Sequence, residues 1–107
     1  MLRIIAGKRY NTELAELVCH FSNGRSTSDF RYRIKRLYRT VRGVWFIHHE
    51  GGAMTDMARN AGDSVYGGEA IEPVSDQEAF SFLQAHSDQA DARQGIATYF
   101  ASSVQDA

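Results

Sequence analysis

Hydrophobic and polar residues alternate most clearly between residues 30 and 49. Apolar and aromatic side chains share one face of an extended chain there, and basic side chains share the other. The first set is Phe30, Tyr32, Ile34 and Tyr38, and the second is Arg31, Arg33, Lys35 and Arg39. Arg36 and Leu37 interrupt the alternation. A turn at Arg42-Gly43 leads to a β-branched and aromatic segment, 44–49, so the pattern predicts an antiparallel hairpin that ends at Gly51-Gly52.

The N-terminal segment predicts a second, shorter hairpin, because Leu2–Ala6 and Arg9–Tyr10 flank a turn at Gly7-Lys8. Residues 12–21 fit two structures. A helix is indicated by the i, i+3, i+4, i+7 spacing of Leu14, Leu17, Val18 and Phe21. A strand is indicated by the alternation of Ala15, Leu17, Cys19 and Phe21. Both alternatives stay open on the residues alone.

The C-terminal part reads as helical. Residues 53–70 are weakly patterned, with one helical turn predicted at 54–59 and a loop through Gly67-Gly68. Residues 71–74 predict a short edge strand, where Pro73 is tolerated. Ser75 and Glu78 form the pattern of a capping box, which predicts a helix from residue 76 and a second helix over 89–103.

The order of strands first and helices afterwards predicts the α+β class. We expect one domain over residues 1–107, with a small antiparallel sheet in the N-terminal two-thirds packed against the C-terminal helices. An apolar fraction of 43% and a charged fraction of 23% are ordinary for a globular chain of this length.

Charge is distributed unevenly along the chain. Residues 1–43 hold ten Lys and Arg against three acidic residues, a net +7, whereas the remainder holds two Arg against ten Asp and Glu, a net −8. The total is only −1. Such a separation favours binding to a charged partner over catalysis.

The basic face of the hairpin predicted at residues 30–49 is the candidate partner-binding site. Its residues are Arg31, Arg33, Lys35, Arg36, Arg39 and Arg42, with Tyr32 and Trp45 as aromatic contacts. Alternate residues of a strand lie about 6–7 Å apart, close to the spacing of phosphates in nucleic acid. Two alternative roles for these basic side chains stay open. Either they only keep the outer face of the sheet in contact with water, or they pair with the acidic residues after position 43, in the same chain or in the second copy of a dimer. Charge reversal at Arg33 and Lys35 is expected to abolish binding without lowering the melting temperature.

No set of residues resembles a catalytic or cofactor site. His48 and His49 are neighbours on a strand and point to opposite faces, so they do not suit one metal ion. Cys19 reads as a small buried residue. We therefore predict a non-enzymatic protein without cofactor or metal. The single cysteine, and the lack of a secretory pattern or a long apolar run, predict a cytoplasmic chain with no membrane partner.

Several short motifs resemble a family of small accessory proteins carried by conjugative elements, phages and other mobile DNA. They are Ile4–Glu13, Ala15-Glu16, Phe30–Tyr32, Leu37–Thr40, Gly43, Trp45-Phe46, Glu50–Gly52, Ile71–Ser75 and Glu78-Ala79. The resemblance covers about residues 4–86 and favours a strand for residues 12–21. The Asn that is usual before Gly-Lys in that family is Ala6 here.

Most members of that family have no assigned function, and their origin implies a role against host defence. The expected function is a non-enzymatic inhibitor of the anti-CRISPR type, which binds a CRISPR–Cas protein or protein–RNA complex through charged surfaces. The alternative is a nucleic-acid-binding accessory factor of the mobile element. A homodimer that joins the basic half of one copy to the acidic half of another is a third hypothesis.

Overall fold

A computed structural model describes all of residues 1–107 and confirms the α+β class. The strands are β1 (Leu2–Ile5), β2 (Lys8–Asn11), β3 (Glu16–Ser22), β4 (Arg33–Arg39), β5 (Trp45–Gly51), β6 (Arg59–Ala61), β7 (Ser64–Tyr66) and β8 (Gly68–Val74). The helices are α1 (Asp76–Ala85) and α2 (Ala90–Tyr99), followed by a single 3-10 turn, Ala101–Ser103. The central element is a four-stranded antiparallel sheet in the order β3-β4-β5-β8, and two short hairpins, β1–β2 and β6–β7, lie outside it.

The central hairpin β4–β5 is confirmed, and its register runs from Arg33 opposite Gly51 to Arg39 opposite Trp45. Gly43 closes the turn with a φ of 81°, a left-handed conformation that glycine adopts without strain. The strand begins at Arg33, three residues later than the alternation predicts. The carboxylate of Asp29 accepts a hydrogen bond from the Arg31 amide at 2.8 Å, which holds the preceding residues in a turn.

Residues 12–21 form a turn and then the strand β3, as the family resemblance implied. The pairing of β3 with β4 has a break in register between Leu17 and Cys19. The irregularity at Val18 lets both Val18 and Cys19 contact the core, whereas Leu14 and Leu17 are exposed.

The core lies between one face of the sheet and the two helices. Its fully or nearly buried residues are Cys19, Leu37, Trp45, Ile47, Ala79, Leu83 and Ala92. The capping box at the start of α1 is confirmed, because the Ser75 hydroxyl accepts from the Glu78 amide and Glu78 accepts from the Ser75 amide. Helix α2 ends at Tyr99, four residues before the predicted end.

The hairpin β1–β2 is confirmed and covers part of the opposite face of the sheet. Its anchor is Tyr10, 6% exposed, whose ring meets the Phe46 ring edge to face at a centroid distance of 5.5 Å. The turn falls on Ala6 and Gly7, one residue earlier than the predicted Gly7-Lys8, with φ values of 51° and 76°. Left-handed backbone costs an alanine about 1–2 kcal/mol, and asparagine tolerates it better.

The helical turn predicted at residues 54–59 is wrong. The chain instead turns through Thr55 and enters the small hairpin β6–β7, which reverses at Gly62 with a φ of 61°. The edge strand is confirmed but longer than predicted, since β8 begins at Gly68. Pro73 stands opposite Phe46 on that edge.

Side chains at the start of α2 contact the other edge of the sheet. Gln89, the residue before the helix, donates to the His20 carbonyl and Asp91 accepts from the His20 amide, both at 2.9 Å, so the backbone groups of His20 are satisfied on this edge. Burial and the adjacent carboxylate of Asp91 raise the pKa of the Cys19 thiol to about 12. The expectation that Cys19 is a small buried residue is confirmed by its exposure of 0%.

Gly95 allows α2 to pack closely on β3. A Cβ atom added there would lie 2.7 Å from Val18 Cγ1 and 3.3–3.4 Å from the methyl groups of Leu83. The first distance is shorter than carbon atoms tolerate, so the glycine serves packing rather than helix flexibility.

We expect Gly95→Ala to lower the free energy of unfolding by up to ~2 kcal/mol. Overpacking costs about 1–3 kcal/mol, and the better helix propensity of alanine offsets about 1 kcal/mol. Urea denaturation measures the difference, and Val18→Ala in the same chain should relieve it in a double-mutant cycle. The exposed Ala97→Gly variant gives the pure propensity effect as a control. A more stable Gly95→Ala protein would show that the contact is absent.

Candidate binding surface

Four cations of the predicted basic row lie on β4, on both of its faces, whereas Arg31 precedes the strand and Arg42 lies in the turn that follows it, both of them exposed. Arg33, Lys35 and Arg39 share the face of Leu37, which is 0% exposed beneath the helices. Arg36 lies on the opposite face, as its break in the alternation predicted. All four basic residues of the strand are only partly exposed.

Arg33 is held inside the chain by Asp56 and His49. Its Nε and Nη2 atoms lie 2.8 and 3.2 Å from the two Asp56 carboxylate oxygens, and Nη2 lies 2.8 Å from His49 Nδ1. The side chain is 13% exposed. The hydrogen bonds from Arg33 lower the pKa of Asp56, so the pair stays ionised well below neutral pH.

Arg36 is held on the other face by Glu50. Its Nη1 donates to Glu50 Oε1 at 3.1 Å, and the Tyr32 hydroxyl donates to Glu50 Oε2 at 3.0 Å. Burial acts to raise the pKa of Glu50, but the hydrogen bonds from Arg36 and Tyr32 outweigh it and lower the pKa. Burial and the same carboxylate raise the pKa of Tyr32. Tyr32 is therefore engaged within the chain.

The two histidines of β5 connect these arginines to the acidic strand β8, one on each face. His48 Nδ1 faces Arg36 at 3.4 Å and its Nε2 faces Glu69 at 3.1 Å. His49 Nδ1 faces Arg33, and its Nε2 lies 2.8 Å from Glu72. Because a guanidinium only donates, each Nδ1 accepts, and each Nε2–H donates to the glutamate. The two histidines point to opposite faces of the sheet, which confirms the prediction from the strand pattern.

Trp45 and Arg39 belong to the junction between the sheet and α2. Trp45, predicted as a partner contact, lies in the core at 3% exposure instead, because its position on β5 faces the helices. Its ring packs against Tyr99 and Phe100 at centroid distances of 5.3 and 5.6 Å. The Arg39 guanidinium lies 4.6 Å from the centroid of the Tyr99 ring, a cation–π contact. The Tyr99 hydroxyl donates to Glu16, which raises the pKa of Tyr99.

The ion pairs of the sheet join the basic half of the chain to the acidic half. Arg33–Asp56 and Arg36–Glu50 both cross the boundary between residues 43 and 44. Two of the ten cations in the basic half are therefore paired with carboxylates of the acidic half within the fold. Of the predicted site, three cations have no carboxylate within ion-pair distance and no aromatic partner: Arg31, Lys35 and Arg42.

Arg42 belongs to a different surface, which the sequence analysis did not identify. A groove of about 790 Å³ lies between the hairpin β1–β2, the turn after it, and the β4–β5 turn. We call it the N-terminal groove. Its lining residues are Leu2, Ile4, Gly7, Lys8, Arg9, Tyr10, Asn11, Leu14, Ala15, Thr40, Val41, Arg42 and Val44. The groove has three cations and no carboxylate in its lining.

Several apolar side chains of the N-terminal groove are exposed to solvent. Ile4 is 66% exposed, Leu14 74% and Val41 92%. A sequence signal was present, because Val41 is an apolar residue inside a tight turn and Leu2 and Ile4 share one face of β1. The signal was ambiguous, since apolar residues at period two indicate burial as readily as binding.

Two observations concern metals and membranes. No group of three or more His, Cys, Asp or Glu side chains lies close enough together to bind a metal ion. None of the helices has the length and apolar character required to span a bilayer.

Comparisons with protein-family models, with curated proteins and with solved structures find no match to this chain. The resemblance to accessory proteins of mobile DNA accordingly stays a prediction.

The structure changes the expected outcome of charge reversal on β4. Arg33→Glu removes the hydrogen bonds to Asp56 and His49, and we expect it to reduce the free energy of unfolding by about 1–3 kcal/mol. Lys35→Glu, the matched control on the same strand face, removes no ion pair and should leave the melting temperature nearly unchanged. Thermal denaturation of both variants checks this, and equal melting temperatures would contradict the assigned role of Arg33.

We expect the buried imidazole of His48 to reduce the stability of the fold in mildly acidic solution. Burial lowers its pKa below the ordinary value of 6.5, against the opposing effect of Glu69. Above pH 6.5 the imidazole is neutral in the folded and unfolded chain, so its full contribution is present. As the pH falls toward the folded-state pKa, the unfolded chain binds a proton that the folded chain does not, and stability decreases.

Urea denaturation between pH 7.5 and 5 measures this slope. His48→Gln should flatten it, because the amide still donates to Glu69 but does not titrate. The slope should persist in His20→Gln, which removes an exposed imidazole from the same sheet. An unchanged slope in His48→Gln would assign the acid sensitivity to other groups.

Proposed function

We propose that this chain is a binding protein that recognises an acidic partner through the N-terminal groove, and that it acts as a non-enzymatic inhibitor of host defence of the anti-CRISPR type. One observation carries the binding proposal: Lys8, Arg9 and Arg42 surround exposed apolar side chains, and no carboxylate lines the groove. The inhibitor role follows from the resemblance to accessory proteins of mobile DNA.

The internal pairing on β4 supports the groove over the predicted basic row. Arg33, Arg36 and Arg39 would each have to leave a partner inside the chain before meeting another molecule. The groove cations have no such partner to leave. Charge complementarity at an exposed surface raises association rates and sets specificity without that cost.

A nucleic-acid-binding accessory factor is the alternative, since the same three cations suit phosphate. Two features favour a protein partner. Trp45 is buried and Tyr32 is hydrogen-bonded to Glu50, so the two aromatic residues of the predicted site are not free to stack on bases. Tyr10 lines the groove but its ring packs against Phe46, so the groove lacks a free stacking platform.

The two ion pairs between the halves weaken the argument for a homodimer. The two oppositely charged halves of one copy already contact one another through the Arg33–Asp56 and Arg36–Glu50 pairs. Fewer complementary charges are left for a second copy.

Charge reversal in the groove tests the proposed function. Lys8→Glu combined with Arg42→Glu should weaken binding to the effector at least tenfold, about 1.4 kcal/mol, because two favourable charge contacts become repulsive. Both residues are exposed, so the melting temperature should be retained. The readouts are CRISPR interference in cells that express the protein and pull-down of purified effectors.

Arg31→Glu with Lys35→Glu is the matched control, with the same charge change on the predicted basic row. We expect it to inhibit as well as the unmodified protein. Loss of inhibition in the control alone would return the site to β4. A chain that inhibits no CRISPR–Cas effector would refute the inhibitor role.

A further inference from the structure

The N-terminal groove has the chemistry of a peptide-binding site. Seven of its thirteen lining residues are hydrophobic, which is more than a surface designed for phosphate requires. Ile4 and Val41 present exposed side chains from two separate segments of the chain. An apolar patch surrounded by charged residues marks a site of protein interaction.

The positive charges of the groove indicate that the partner carries acidic residues next to its apolar ones. Lys8 and Arg9 lie on β2, and Arg42 lies on the β4–β5 turn. No acidic side chain of this protein forms an ion pair with any of them. A segment that seats apolar side chains on Ile4 and Val41 therefore brings its neighbouring residues against cations alone.

The frame of the groove is held in place before any partner binds. Tyr10 fixes β2 to the sheet through Phe46, and the Thr12 amide donates to the Met1 carbonyl at 3.0 Å. The N-terminal ammonium group also donates to Thr12 Oγ1 at 2.9 Å. A preformed site loses little conformational entropy on binding, which favours a short linear segment as the ligand.

We propose that the N-terminal groove binds an acidic amphipathic segment of a partner protein, whose apolar side chains contact Ile4 and Val41 and whose carboxylates pair with Lys8, Arg9 and Arg42. This inference rests on the proposed function and names the partner's chemistry. It selects a protein segment over nucleic acid and over a second copy of this chain.

Selection from a random displayed library of 12-residue peptides tests the partner chemistry. The purified protein is the target, and the Lys8→Glu/Arg42→Glu variant removes peptides that bind elsewhere. We expect the enriched sequences to combine Asp or Glu with Leu, Ile or Phe. Enrichment of basic or purely polar sequences, or of none, would overturn the proposal.

The strongest selected peptide is then titrated into isotope-labelled protein, with amide chemical shifts as the readout. Shifts should saturate and map to residues 2–11 and 40–44. Ile4→Ser with Val41→Ser should weaken binding about tenfold, and so should replacement of the acidic residues of the peptide by Lys. Shifts that map to β4 and β8 instead would overturn the proposal.

Two further probes distinguish the other occupants. A 15-nucleotide single-stranded DNA of mixed sequence should not compete with the peptide at physiological salt, and competition would assign the groove to nucleic acid. Sedimentation should show a monomer, and a dimer that Val41→Ser dissociates would assign the groove to a second copy. A peptide that binds the groove in a protein without inhibitory activity would refute the proposed function and leave this inference standing.

Discussion

The structure depends on β5 being buried on both faces. Trp45 and Ile47 pack beneath the helices, and Phe46 and His48 face the other side, where Tyr10 covers Phe46. A strand in this position leaves little open sheet surface beside it. Arg33 and Arg36 of the neighbouring strand β4 are paired with carboxylates inside the chain, because an unpaired charge that loses contact with water is strongly unfavourable.

This constraint explains why charge separation along the sequence does not become an equal separation on the surface. Arg33 and Arg36, on opposite faces of β4, are adjacent to β5, and each reaches a carboxylate from the acidic half. The histidines of β5 continue both contacts to β8. Two ion pairs thus join the +7 segment to the −8 segment within the sheet. Arg31 and Arg42 lie outside the strands and stay unpaired, and Lys35 is an unpaired cation on β4 itself.

Local signals made much of the fold predictable. The alternation on β4, the glycine turn at Gly43 and the capping box at Ser75 each depend on residues a few positions apart, and all three are confirmed. The exposure of a strand face depends on what packs against it from elsewhere. The sequence therefore placed Arg33 and Arg39 on a common face, but it contained no signal that Asp56 and Tyr99 would occupy them. Trp45 was misplaced for the same reason.

No residue of β5 lines the N-terminal groove, and the exposed residues of the groove are not under the same constraint. Tyr10 is the one buried residue of the hairpin β1–β2, and the exposed residues around the groove, Ile4 and Val41 among them, are not part of the core. Its cations also contribute no ion pair to the fold. Exposed apolar surface and unpaired like charges both oppose solubility and compactness when they serve nothing else. Exposed apolar residues such as Phe30 and unpaired cations such as Lys35 also occur elsewhere in this chain. The groove brings several exposed apolar side chains and three unpaired cations together in one concave surface. That combination is the physical argument for placing the binding surface at the hairpin rather than on the sheet.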